Sequence, residues 1–293
     1  MSADGLPPSL PYGLISFGPD ANCTLDLCPL ESSILQYQPS IPANSVFIVI
    51  FGLVLLANGV QGVYYHTWGY MSSLIAGCIL EIAGYSGRLI LHDNPFDFSG
   101  FLMQIVCITI APVFFCAAIY VLLSQTIMHL NVRIARFKPQ LLYWVFIPCD
   151  IISLLLQAVG GALSCVGTTQ DDIQVGVDIS LAGLIFQVIT LTAFTVAFLD
   201  YLYACRRPDN HTHFTRRMKL FLLFMFVSIF LILVRCVYRV VELHEGYFSH
   251  LFRDELLFIA LESAIMCAAT VSMCIGHPGL VFSQRKGSGR PRT

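Results

Sequence analysis

The sequence predicts an all-α polytopic membrane protein with seven transmembrane helices, the N-terminus outside and the C-terminus in the cytosol. Three observations carry that expectation. The 293-residue chain is 56% hydrophobic and only 12% charged, whereas a soluble domain carries about 25% charge. Seven apolar segments reach the roughly 20 residues needed to cross a bilayer. Lysine and arginine fall almost wholly on one side of those segments.

Three regions follow: an extracellular segment 1–42, a seven-helix domain 43–279 and a basic cytosolic tail 280–293. The first region is rich in Pro and Ser. It lacks the basic start and apolar core of a cleaved signal peptide, so the first membrane helix is expected to act as the targeting signal. Asn22-Cys23-Thr24 fits a glycosylation sequon on the outer side. Cys23 and Cys28 form a candidate outer disulfide pair, and Cys165 is another outer cysteine.

The spans are expected at Ser45–Tyr64, Tyr70–Leu91, Phe101–Leu130, Leu142–Leu163, Ile179–Tyr203, Leu220–Val240 and Leu256–Gly276. Pro112 lies inside the third and removes one backbone donor, which predicts a kink or local unwinding there. Tyr64, Tyr65 and Trp68, like Tyr143 and Trp144, read as interfacial aromatic residues. Gln170-Asp171-Asp172 reads as a solvated acidic loop.

Orientation rests on the basic residues. Arg133, Arg136 and Lys138 share one connection, and Arg206, Arg207, Arg216, Arg217 and Lys219 another. Arg285, Lys286, Arg290 and Arg292 lie in the tail. Those 12 of the 16 basic residues fall on one side, and only Arg253 lies in a connection on the other. The positive side is expected to be cytosolic. A second sequon, Asn210-His211-Thr212, then falls in the cytosol and stays unused.

The remaining basic residues, Arg88, Arg235 and Arg239, lie inside or at the ends of helices. A charge at bilayer depth is costly unless it faces a partner, a cavity or water. Glu81 and Arg88 are seven residues apart in the second span, hence on one face and about 10 Å apart along the axis. Gly84 and Gly87 thin that helix for a close neighbour. Gln104 and Tyr120 lie on the third span, Asp150 and Gln157 on the fourth, Gln187 and Asp200 on the fifth. Arg235, Arg239 and Glu242 form a stripe on the sixth, with Glu255 and Glu262 on the seventh. Most of these fall in the outer half, with Glu81 and Asp150 nearer the middle. The set reads as an outer-half pocket that binds a substrate through Glu81, Arg88, Asp150, Gln157, Gln187, Arg235, Arg239 and Glu262. The plainer reading, in which each pair only braces helices, stands beside it.

Several classes are excluded. No HExxH, GxSxG, P-loop or GxGxxG run occurs, and the eight histidines lie in connections or at helix ends. No catalytic residue, metal site or cofactor is expected, and the chain has no basic surface for nucleic acid. The expected partners are membrane lipids and amphiphilic small molecules.

The run Glu81-Ile-Ala-Gly84-Tyr85-Ser-Gly87-Arg88 resembles a signature of the fungal lipid-translocating exporters, seven-helix proteins named for resistance to aminocholesterol. Ala111-Pro112 with Ala117, Ala118 and Tyr120 is similar to the family's third helix. Asp150 followed by Gln157-Ala-Val-Gly160-Gly161 is similar to its fourth, Gly183-Leu-Ile-Phe-Gln187 to its fifth, and Arg235-Cys-Val-Tyr238-Arg239-Val-Val-Glu242 to its sixth. The seventh departs, with Phe252-Arg253-Asp254-Glu255 where a Tyr and a following Asp commonly open the helix. The resemblance covers roughly residues 45–279. It implies a fungal protein of the plasma membrane that translocates or exports sphingoid long-chain bases or similar amphiphiles and confers resistance to them. A lipid or amphiphile sensor and a porphyrin or haem transporter are the alternatives. The three acidic residues Glu81, Asp150 and Glu262 suit the amine of a sphingoid base. The three arginines suit a phosphate or carboxylate instead.

Overall fold

The computed structural model describes residues 14–16, 18, 21–33, 35–130, 139–166, 170–206, 215–245 and 254–279. Those residues contain seven helices long and apolar enough to cross a membrane and no strand. In chain order they are α1 (Ile41–Tyr65), α2 (Trp68–Asp93), α3 (Phe98–Leu130), α4 (Pro139–Val166), α5 (Gln170–Arg206), α6 (Arg216–His244) and α7 (Glu255–Ile275). Arg133, Arg136, Lys138, Arg207, Arg253, the sequon at Asn210, the side chains of Cys165 and Arg206, and the tail lie outside the described residues.

Local chemistry sets the ends. Pro42 occupies the first turn of α1, where its missing N–H costs nothing. His66 closes α1 in the left-handed conformation at φ 57°, so α2 begins two residues later. Asp97 accepts from the backbone N–H groups of Ser99 and Gly100, both at 3.2 Å, and opens α3. Asp254 caps α7 by accepting from Leu256 at 3.0 Å.

Three expectations are corrected. α3 runs unbroken through Pro112, so there is no local unwinding. Asp171 and Asp172 are not loop residues but the exposed first turn of α5, where carboxylates complement the helix dipole. Tyr65 is half-buried and packs on His277 with ring centroids 5.6 Å apart, whereas Tyr64, Trp68 and Trp144 are exposed. One feature had no sequence signal: α7 contains a π-helical segment, Phe258–Ala264.

Consecutive helices pack side by side, α7 closes back onto α1, and α3 also meets α6 through the interior. The tight seams are lined by small residues. A side chain on Gly84 would strike Ile108, and one on Gly87 would meet the Gly100 carbonyl at 2.8 Å, so α2 lies directly on α3. Gly160 faces Gly176 and Ser180 across the α4–α5 seam, and Gly176 faces Ser164 in return. This reciprocal small-residue contact brings backbones together without any hydrophobic drive. The outward residues, among them Leu56, Val60, Leu155 and Val196, are large, apolar and exposed, as a lipid-facing shell requires.

At the α2–α3 end, the N-terminal segment folds onto the bundle. Cys23 and Cys28 are joined by a disulfide that packs with Phe96. Leu35 buries against Leu91 and Phe101. Gln38 donates to the His92 carbonyl at 3.3 Å, and the His92 ring lies 2.9 Å from the Pro39 carbonyl.

Candidate functional site

The C-terminal ends of α2 and α6 and the start of α7 come together beneath that segment. Arg88 arrives from α2, fully buried. Its Nε donates to Asn44 Oδ1 on α1 at 3.0 Å, and its Nη2 donates to the Tyr37 hydroxyl at 3.1 Å. Nη2 also lies 3.7 Å from Glu255 Oε1, and the guanidinium stacks 4.0 Å over the Phe258 ring. Glu255 in turn accepts from the Ser40 backbone N–H at 2.7 Å. A buried guanidinium needs this many partners, because an unpaired one would lose its hydration without return. Burial pushes the Tyr37 phenol up from its ordinary range, against the pull of Arg88; the group stays neutral and free to act as donor or acceptor.

On α6, Arg239 donates to Glu242 at 2.6 Å and to Thr109 Oγ1 on α3 at 3.3 Å. Between the two arginines lies a narrow crevice lined by Tyr37, Arg88, Gln104, Arg239, Glu242 and Phe258, among others. It holds room for about one water molecule. Gln104 Oε1 has no hydrogen-bond partner among the described residues.

A second layer lies deeper. Arg235 pairs with Glu262 and donates to the Ile108 carbonyl at 2.7 Å. Pro112 sits four residues after Ile108 and has no N–H, so that carbonyl lacks its helical donor. Arg235 supplies the missing bond from another helix, which explains why α3 passes its proline without unwinding. Glu81 is fully buried beside this pair, and neither of its oxygens has a hydrogen-bond partner among the described residues.

Asp150, Gln157 and Gln187 sit elsewhere. Tyr120 on α3 donates to Asp150 Oδ2 at 2.8 Å. Gln157 donates to Gln187 at 3.0 Å across the α4–α5 seam, and Ser180 donates to the Gln157 carbonyl at 3.1 Å. None of the three lines the crevice. Of the eight expected site residues, Arg88 and Arg239 line it, Glu81, Arg235 and Glu262 form the layer below, and the remaining three belong to contacts among α3, α4 and α5. Tyr37 and Asn44 were missed. Asn44 is one of a few polar residues in the largely apolar α1, a legible sign, but Tyr37 precedes every span and periodicity cannot reach it.

Among the described residues no group of His, Cys, Asp or Glu has the arrangement of a metal site. Asn22 is exposed, and its side-chain oxygen accepts from Ile15 at 2.7 Å.

Comparison with known proteins places the chain. It is 32% identical over 285 residues to the sphingoid long-chain base transporter RSB1 of Saccharomyces cerevisiae (strain Lalvin EC1118), covering 85% of this chain and 74% of that protein. It is 28% identical over 217 residues to protein RTM1 of Saccharomyces cerevisiae, covering 72% of this chain and 68% of that protein. It is 27% identical over 207 residues to protoporphyrin uptake protein 1 of Saccharomyces cerevisiae, covering 68% and 66%. No solved structure matches. The family described as RTA1 like protein matches residues 74–285, and the chain belongs to that family.

Proposed function

We propose that this chain translocates or exports sphingoid long-chain bases or similar amphiphiles, and so confers resistance to them, as a non-enzymatic protein of the plasma membrane with its N-terminus outside. The relative named for sphingoid long-chain base transport supports the substrate class. The observation that carries the site is the crevice: two arginines, one carboxylate, an amide and a phenol meet at one end of an otherwise apolar bundle. A sphingoid base carries one ammonium, neighbouring hydroxyls and a long chain. Glu242 offers a carboxylate for the ammonium, Gln104 and Tyr37 offer partners for the hydroxyls, and the chain lies along the apolar helix faces.

In the described arrangement the crevice is too small for a headgroup. Admission requires Leu35 and Tyr37 to move off the α2 end, which breaks the Tyr37–Arg88 bond. Labelled phytosphingosine in liposomes holding the purified protein tests the proposal. Protein-dependent movement between leaflets is expected. Binding without movement would favour a sensor, and chemical conversion of the lipid would favour an enzyme.

A second substrate is supported by the paired arginines. Arg88 and Arg239 suit the two propionate carboxylates of a porphyrin, and one relative is named for protoporphyrin uptake. Competition of protoporphyrin with phytosphingosine for the same crevice would be expected on that reading.

A further inference from the structure

Below the crevice two carboxylates lie near one guanidinium, which is bonded to only one of them. Arg235 and Glu262 are paired with side chains 2% and 1% exposed. Glu81 is fully buried, yet no described donor reaches either of its oxygens. The titratable groups within electrostatic reach of Glu81 are Cys78 and Tyr85 on its own helix, Cys107 on α3, Arg235 on α6, and Glu262 and Cys267 on α7. α1 packs against α2 but carries no charged residue, and its two tyrosines lie at the far end. Among the described residues, the cation acting on Glu81 is Arg235, already committed to Glu262. An ionised carboxylate in such a place costs far more than a neutral acid, and a group so placed takes up a proton.

Two features make the proton exchangeable. Ile108 lines the crevice, and its carbonyl is the acceptor of Arg235, so the crevice floor adjoins the carboxylate layer. Glu262 stands in the π-helical segment of α7. Such segments hold one helix in a register that a small shift can release.

We propose that Glu81 is a proton-binding carboxylate that exchanges its proton for the ammonium of the transported lipid. This rests on the transport reading above. The lipid arrives as R–NH3+. The O–H bond of Glu81 breaks, its proton passes to water in the crevice, and the carboxylate pairs with the ammonium handed inward from Glu242. One cation enters as one leaves, so the buried charge is unchanged. On release of the lipid Glu81 regains a proton from water. Lipid movement in one direction then drives protons in the other.

Two measurements test it on the full-length protein. Infrared titration of the purified protein reads buried protonated carboxyl groups directly, with Asp150→Asn as control for a second buried acid that, unlike Glu242 and Glu262, forms no described ion pair with an arginine. A protonated-carboxyl band is expected near neutral pH, lost in Glu81→Gln and shifted in Glu81→Asp. A parent without that band, or a band unchanged in Glu81→Gln, would overturn the assignment. Proteoliposomes with an internal pH dye read the exchange, using labelled phytosphingosine, its uncharged N-acetyl derivative and protein-free vesicles. Proton movement above the protein-free rate is expected with the free base only, and a fall of at least tenfold in Glu81→Gln. Equal proton movement in parent and variant would sink the exchange. A parent that moves no lipid removes the transport reading, while the infrared result still decides whether Glu81 binds a proton.

Discussion

Arg235 on α6 supplies the hydrogen bond that Pro112 takes away from α3. Its guanidinium lies 2.7 Å from the carbonyl of Ile108, four residues before the proline. One side chain thereby closes a gap in the central helix and pairs with Glu262 beneath the crevice. On the proposed reading, bracing and site chemistry are not alternatives at this position, because the same guanidinium serves both.

Replacing Arg235 with Met should therefore cost about 3–5 kcal/mol, as for breaking a buried pair and leaving a buried charge unmatched. Thermal unfolding in detergent reads the loss. Adding Pro112→Ala restores the backbone donor to Ile108 and should return about 1 kcal/mol. A double variant no more stable than Arg235→Met would show that the carbonyl does not depend on Arg235.

The two neighbouring glycines of α4 should behave oppositely. A side chain on Gly160 meets the Gly176 carbonyl and the Ser180 backbone nitrogen at 2.5 Å, whereas one on Gly161 meets nothing within 4 Å. Gly160→Ala should destabilise by about 1–3 kcal/mol through overpacking. Gly161→Ala should be neutral or add up to about 1 kcal/mol of stability. Comparable unfolding temperatures for the two would mean that the α4–α5 seam is looser than described.

These glycines also mark how much was legible beforehand. The seven spans follow from apolar length, and observed helices exceed expected ones mainly at their polar ends, as Asp171 and Asp172 do by joining the first turn of α5. The pairing of charges was less legible. Arg88 and Glu81 share a helix face, but depth alone cannot say which neighbour each one meets. Gln157 sits at a depth suited to the pocket yet turns to Gln187 across its own seam. Tyr37 and the π segment at Phe258–Ala264 leave no periodic trace, since one precedes the helices and the other is a register defect within an ordinary apolar run.

At the opposite end, His277 gives the fold a pH dependence. It is buried against Tyr65 and Tyr70 and accepts from the Gly279 N–H through Nδ1 at 3.1 Å. Burial lowers its imidazole from 6.5 to about 4. The unfolded chain binds this proton more readily, so the stability is present above pH 6.5 and is lost as pH falls towards 4, by up to roughly 3 kcal/mol. Unfolding temperature should drop across that window, and His277→Gln should flatten the drop. An unchanged profile in the variant would exclude His277 as its origin.

Tyr37 reaches over the crevice from the N-terminal segment. On the proposed admission route, Tyr37→Ala should speed entry of labelled phytosphingosine several-fold, whereas Tyr37→Phe, which keeps the ring, should have a smaller effect. A slower or unchanged rate in Tyr37→Ala would place the entrance elsewhere.

The orientation has its own test. With the N-terminus outside, Asn22 is expected to carry a glycan in a fungal host, so Asn22→Gln should shorten the apparent mass of the protein on a gel and Asn210→Gln should not. The reverse pattern would invert the topology.

The central claim is that the crevice between Arg88 and Arg239 receives the lipid headgroup. Its most direct measurement is the rate of labelled phytosphingosine movement in proteoliposomes containing the parent or Glu242→Gln, each checked for folding by its unfolding temperature. The account predicts at least a tenfold loss of protein-dependent movement in the variant with the fold retained. A folded Glu242→Gln that moves the lipid at the parent rate would contradict it.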